Sequence, residues 1–257
     1  MKVIKDIFET TEIFENSYTA IGTFDGLHYG HQQLIKGAIE KAKENGGKSV
    51  VFTFANHPME IINIDRAPKC INTIEEKIYL FEKMGIDYLI LQPFNKKFAD
   101  LTAVEFVEIL KNKVNSKELF VGFNFSFGEG GKAKTKDLIE LGESMGMKVN
   151  EIPAVSIDGE VISSTLIRKN LQKGHFEEVN KYLGHKFLII GEVIHGKKIA
   201  RQLGLSIPDD LKIIGYDGTA FIRHFYPELA TIQQPLDEIA KLCVEILLKK
   251  IKGKTVN

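Results

Sequence analysis

Charge of one sign is what this sequence lacks most plainly: thirty-four lysines and arginines balance thirty-four aspartates and glutamates. With no net field, the chain has nothing general to hold DNA or an anionic membrane surface, so any recognition of phosphate has to be local. Neither nucleic acid nor membrane is expected as a partner. Cysteine is scarce as well. Cys70 and Cys243 are the two in the chain and fit no metal-binding or redox spacing. They are expected to be buried thiols acting as small hydrophobes in a reducing, cytoplasmic compartment. Long apolar runs are missing from the first residues, where "MKVIKDIFETTEIFE" is broken by charge every few positions. That excludes a signal or membrane segment there and reads as a soluble, unprocessed protein. Internal repeats and low-complexity segments are absent too.

What is present is enough apolar material for a sizeable core: 44% of 257 residues, sufficient for one large domain or a main domain with a smaller one attached. Four apolar runs, Tyr18 to Phe24, Lys48 to Phe54, Tyr88 to Phe94 and Glu118 to Phe123, read as buried strands of a parallel sheet. Helical patterns alternate with them. "HQQLIKGAIEKAKENGG" places Leu34, Ile35, Ala38, Ile39 and Ala42 on one stripe and stops at a double glycine, and Thr102 to Val114 and Thr135 to Met145 are similar. The order implies a doubly wound α/β layer, whose ligands collect outside the carboxyl ends of the strands.

The first predicted strand runs into "GTFDGLHYGH", Gly22 to His31. Glycines at 22, 26 and 30 let backbone approach a ligand, and the helix that follows offers free N–H groups and a partial positive charge to an anion. His28 and His31 stand about one helical turn apart, so both rings can face the same side and donate to phosphate oxygens. An ordinary polar helix start is the bland alternative. A dinucleotide-binding loop is the other, but it needs G-x-G-x-x-G, which this stretch lacks. Further on, "ISSTLIRKNLQKG" reads as a helix capped by Ser163 or Ser164 and ended by Gly174, with Ser164, Thr165 and Arg168 near one point.

These stretches carry a resemblance. "GTFDGLHYGHQQLI" resembles the first motif of the nucleotidyltransferase superfamily, and in detail the FMN adenylyltransferase module of the bacterial bifunctional riboflavin kinase/FAD synthetase family. "VFTFANHP" (Val51 to Pro58), "VGFNFSFG" (Val121 to Gly128) and "ISSTLIR" (Ile162 to Arg168) resemble that family's second, flavin-side and phosphate-binding motifs in order, and "YLGHKFLIIGEVIHGKK" its passage into a kinase domain. The resemblance implies a Rossmann-like, HxGH-type fold over 1–184 that transfers AMP from ATP, with Mg2+, to FMN, giving FAD and pyrophosphate. His28, His31 and Arg168 would be catalytic. Gly22, Phe24, Gly26, Gly30, Ser164 and Thr165 would surround the nucleotide, and Asp25 would be at most an outer contact. His57, Pro58 and Asn124 would serve the flavin, while Phe123, Phe125 and Phe127 alternate as either core or stacking platform. Magnesium, held mainly by phosphates and waters, needs few protein ligands, so no protein metal site is expected.

Two features depart from the family pattern. Ser126 stands where the family usually has arginine, and "GEGGKAK" replaces a basic glycine-rich loop, which implies weaker flavin binding. Beyond residue 200, the glycine-arginine stretch and P-T-A-N motif of a riboflavin kinase are missing, so kinase activity is expected to be absent. Instead, "SIPDDLKIIGYDG", "TIQQP" and a final amphipathic helix from Leu236 to Ile251 resemble the C-terminal end of the effector-binding domain of lactose-repressor-type regulators. The chain therefore reads as a chimera of a module at 1–184, a junction at 185–202 and an α/β segment at 203–257. A sugar-effector-binding module and an adenylyl- or cytidylyltransferase for another phosphate remain alternative readings. Asp217, which resembles an effector contact, is read as a structural acid. His175, His185 and His224 are read as surface or packing residues, His195 as a relic of the missing kinase domain, and "KKIKGK" as a solvated helix end.

Overall fold

A computed structural model describes residues 1–190, of which Met1–Leu188 form a compact unit. The elements run β1 (Lys2–Ile4), β2 (Ser17–Ile21), α1 (Tyr29–Glu44), β3 (Lys48–Phe54), α2 (Met59–Ile62), α3 (Ile74–Met84), β4 (Tyr88–Gln92), α4 (Lys96–Ala99) and α5 (Ala103–Asn112). They continue with β5 (Ser116–Gly122), β6 (Ser126–Phe127), β7 (Ala133–Lys134), α6 (Thr135–Ser144), β8 (Lys148–Ile152), β9 (Ser156–Ile157), β10 (Glu160–Val161), α7 (Ser164–Gln172) and α8 (Phe176–Leu183).

Six strands make one fully parallel sheet in the order β1-β4-β3-β2-β5-β8. Each of the four apolar runs supplies an inner strand, and β3 occupies the whole run from Lys48 to Phe54. The edge strands, β8 and the three-residue β1, are partly exposed, and the β8 run mixes polar with apolar residues. One face of the sheet buries Leu34, Ile35, Ala38 and Ala42 of α1 with Phe81 of α3. The other buries Phe106, Val107, Ile109 and Leu110 of α5 with Leu138 of α6. Helices on both faces of a parallel sheet make the doubly wound α/β architecture expected.

The strand order reverses direction at β2: β3 and β4 lie to one side, β5 and β8 to the other. A crevice opens where successive connections leave in opposite directions, at the carboxyl ends of β2 and β5. The loop after β2 leads directly to α1 across that opening.

A third, smaller cluster joins Ile71, Ile162, Ile167, Val179, Tyr182 and Leu183, packing α7 and α8 around the segment that precedes α3. Among the described residues, no helix is long and apolar enough to cross a membrane. The expectation of a buried thiol fails at Cys70, which is exposed and unbonded. It belongs to an irregular connection rather than to a helix or strand that would turn it inward. Cys243, His195, Asp217, His224, the "KKIKGK" run and the expected C-terminal helix lie outside the described residues.

Candidate active site

The run Tyr18 to Phe24 does not remain a strand to its end. β2 stops at Ile21, and Phe24 and Leu27 adopt left-handed backbone angles (φ 47° and 41°), with Gly26 at φ 87° between them. Non-glycine residues in that region carry strain of order 1–3 kcal/mol, held in place by their surroundings. Here Phe24 is fully buried, its ring edge-on to Phe81 at 5.8 Å and to His31 at 5.3 Å. A Cβ on Gly22 would lie 3.3 Å from the Phe24 ring, and one on Gly30 3.3 Å from the His28 ring. Each position requires the backbone to pass close to an aromatic side chain.

His28 is the N-cap of α1. Its Nδ1 accepts the His31 backbone N–H at 3.4 Å, a long capping contact. That arrangement places the ring proton on Nε2. The two imidazoles stack with centroids 3.6 Å apart and planes 19° from parallel. Burial lowers the His28 pKa to about 4, opposed by the nearby Asp25 carboxylate. Burial, then His28 and then Lys77, holds His31 well below the usual histidine range. At neutral pH the pair is therefore two neutral donors aligned with a helix N-terminus, and not a dication.

Asp25, expected to be peripheral, is a buried hub. Its Oδ1 accepts the backbone N–H groups of Ile71 (2.8 Å) and Asn72 (3.3 Å), and its Oδ2 accepts Arg168 Nη2 at 2.5 Å. Arg168 is held on a second side as well, since its Nε donates to the Lys69 carbonyl at 2.8 Å. A buried carboxylate needs a counter-charge, which explains why the guanidinium turns toward it. Those two bonds leave three of the five guanidinium N–H groups for an anion.

α7 is capped by Ser163, whose hydroxyl accepts the Leu166 N–H at 3.2 Å. Ser164 uses its hydroxyl to bond the Asp25 carbonyl at 2.8 Å, and Thr165 is exposed. His185, read as a surface or packing residue, comes within 3.3 Å of the Gly26 carbonyl through Nε2. The glycine loop, α7 and the chain after α8 thus converge on one place.

On the other side of the Thr23 carbonyl lies a cleft of about 690 Å³. His57, Pro58, Phe54, Phe94, Asn124 and Phe125 are among the residues that line it. His57 Nδ1 accepts the Met59 N–H at 3.1 Å, and its pKa is lowered by burial and then by Arg168. Phe125 and Phe127 stack at 5.5 Å, with Phe127 packed on Phe106 in the core. The expected shared face of three phenylalanines fails at Phe123, which is exposed because β5 ends at Gly122 and the chain turns, with Phe125 N–H bonded to the Gly122 carbonyl. Asn124 and Ser126 are exposed at the mouth.

Lys77 was not singled out by sequence reasoning. It lies on the inner face of α3, 8% exposed, and donates to the Thr23 carbonyl at 3.1 Å. A lysine four residues before the buried Phe81, on the apolar stripe of an otherwise well-capped helix, was the available signal.

Residues 10–166 match the profile of the FAD synthetase family. The chain belongs to that family. It is 38% identical over 206 residues to the bifunctional riboflavin kinase/FMN adenylyltransferase of Buchnera aphidicola subsp. Schizaphis graminum, a match covering 79% of this chain and 66% of that protein. With the protein of the same name from Escherichia coli K12 the identity is 32% over 206 residues, with the same coverage. The chain spans just under two thirds of the length of these relatives. A crystal structure described as a macrolide-efflux protein from Streptococcus pneumoniae aligns with a TM-score of 0.66 at 30% identity, over 79% of this chain and 66% of the other. Residues 193–257 match a different family, the periplasmic binding protein-like domain. The two matches fall in the two parts of the chain that carried the two resemblances.

Proposed function

We propose that this FAD synthetase family member is an FMN adenylyltransferase, with 1–184 as the catalytic module. FMN, held in the aromatic-lined cleft, presents a phosphate oxygen to the α-phosphorus of ATP. A bond forms between them as the bond to the β,γ-diphosphate breaks, and pyrophosphate leaves with that electron pair. ATP is taken as its magnesium complex. Among the described residues, no group of three or more histidines, cysteines or carboxylates could hold a metal, so the ion would travel with the polyphosphate.

The protein's work in such a step is to position reactants and stabilise developing charge. His28 and His31 would donate from neutral rings to oxygens of the triphosphate, at the amino-terminal end of α1. Arg168 would offer its remaining N–H groups to the leaving diphosphate, with Asp25 fixing its plane. Gly22, Phe24, Gly26 and Gly30 shape the seat, and Ser164 and Thr165 begin the helix beside it. His57, Pro58 and Asn124 would guide the flavin. Riboflavin kinase activity is proposed to be absent, the partners are small molecules alone, and the compartment is proposed to be the cytoplasm.

One observation carries this reading most directly: His28 caps α1 and stacks on His31, both rings neutral, near the buried Asp25 carboxylate and its Arg168 partner, whose charges reach His57 in the wall of an aromatic cleft. Incubating the full chain with FMN and MgATP and resolving products by HPLC should show FAD formed together with pyrophosphate. An intact, folded chain that produces no FAD under these conditions overturns the assignment.

A further inference from the structure

The side chain that the proposed reaction leaves unexplained is the ammonium of Lys77. The Thr73–Glu76 capping box fixes where α3 starts and thus which residues face inward; Glu76, Lys77 and Phe81 are its buried positions. Phe81 anchors that face against Phe24, so Lys77 on the same face points toward the loop that carries Asp25 and His28. Its Nζ donates to the Thr23 carbonyl, which also accepts the Thr53 hydroxyl at 3.2 Å.

A buried cation normally has a carboxylate partner. Lys77 makes no ion pair with any described residue. Two carboxylates, Asp25 and Glu60, act on it through space and neither is bonded to it; Asp25 has one oxygen taken by the Ile71 and Asn72 N–H groups and the other by Arg168. One carbonyl accounts for one of the three ammonium donors, leaving two without an acceptor among the described residues. The positive charge depresses the pKa of both His31, on the nucleotide side, and His57, in the flavin cleft. Lys77 therefore lies within electrostatic reach of both halves of the crevice.

We propose that Lys77 is a further catalytic residue, whose ammonium binds the phosphoryl group passing from nucleotide to acceptor. Its counter-charge arrives with the substrates. Burial, which lowers the Lys77 pKa in the empty protein, would then strengthen its attraction to the phosphoryl oxygens. This role rests on the adenylyltransferase reading for its acceptor, but the contact to the phosphate of ATP does not depend on which acceptor is used.

The test compares wild type with Lys77→Gln and Lys77→Met in the full chain. Glutamine retains a donor for the Thr23 carbonyl without the charge, and methionine keeps the apolar stem with neither. Both variants are expected to lose at least a hundredfold in kcat for FAD formation and about tenfold in MgATP affinity by calorimetry, while Tm stays level or rises because a desolvated, unpaired charge has been removed. Turnover and MgATP affinity within threefold of wild type in Lys77→Gln overturn the proposal. Loss of activity accompanied by a fall in Tm of more than a few degrees in both variants also overturns it, because Lys77 would then be a structural prop. If wild type forms no FAD, the acceptor assignment fails by itself, and the calorimetric comparison still decides whether Lys77 binds nucleotide phosphate.

Discussion

The two halves of the crevice are built on different principles. On the side proposed for the nucleotide, buried and half-buried polar groups are bonded within the protein: His28 caps α1, Asp25 takes three donors, and Ser164 and His185 reach the backbone of the same loop. On the cleft side the walls are aromatic and the polar residues, Asn124 and Ser126, are exposed at the mouth. A preorganised polar lattice suits a reaction whose charge distribution is the same in every turnover. An apolar cleft with few directional contacts suits the capture of a flat, largely apolar ring system. Substitutions on the first side should therefore reduce the rate, and those on the second should alter affinity.

The largest effect expected is at the stacked imidazoles. His31→Ala removes one donor from the position proposed to meet the triphosphate, and losing one such donor costs about 10²–10³ in kcat, or roughly 3–4 kcal/mol. FAD formation measured by HPLC should fall by that factor, while Tm falls only modestly, since the ring's packing on His28 and Phe24 is lost but its Nδ1 has no hydrogen-bond partner to lose. Equal activity in His31→Ala would erase the distinction between the two halves.

Arg168→Ala should differ in kind. It removes a donor from the site, but it also leaves Asp25, whose side chain is 2% exposed, without its counter-charge. Breaking a buried pair from one side costs about 3–5 kcal/mol of stability. The loss of activity, of order 2–4 kcal/mol in transition-state binding, should thus come with a clear fall in Tm. Replacing both partners, Arg168→Met with Asp25→Asn, should recover much of the stability and none of the activity. A double variant as unstable as the single one would show that the pair does not act as a unit.

The contrast between these two variants also marks what could be read from the chain. The apolar runs determined the inner strands, because a strand covered on both faces has no polar position to interrupt it. The edge strands escaped notice because β1 is three residues long and partial exposure mixes the pattern of β8. The HxGH spacing is local, one turn of one helix, and the stacking of His28 on His31 follows from it. Asp25 acts through Ile71, Asn72 and Arg168, 46, 47 and 143 residues away in sequence. No local pattern announces that a single acid will be shared among them. Lys77 was obscured by composition, one charge among several in "IEEKIYLFEKM". Cys70 was misjudged because an average tendency to burial says nothing about an irregular connection.

Acidification should act on the nucleotide side ahead of the cleft. A histidine whose pKa is lowered by folding binds its proton more readily when unfolded, so stability is complete above the unfolded value near 6.5 and declines as pH falls toward about 4. Tm measured from pH 7 to pH 4 should drop over that window, and His28→Gln should flatten the decline. His57 is shifted in the same direction, but it is less buried and has a smaller part in the effect. An unchanged slope in His28→Gln would mean that His28 does not couple folding to protonation and leaves the decline to His31.

The smallest expected change is also the one that tests the cleft by addition instead of removal. Ser126 is exposed in the short ribbon β6–β7, paired with Lys134 across two residues, and lies at the mouth of the cleft. The resemblance to the FAD synthetase family puts an arginine at this position, and an exposed surface residue can be exchanged at little cost to the fold. Ser126→Arg adds a cation that can meet the anionic end of FMN or lie against its ring, each worth about 0.5–1 kcal/mol when exposed. FMN affinity by fluorescence quenching should improve two- to fivefold at low salt and return toward wild type as salt rises, while kcat at saturating substrate stays level. If the gain appears in kcat, the cleft mouth contributes to the chemistry and the division between a rate-setting half and an affinity-setting half has to be redrawn.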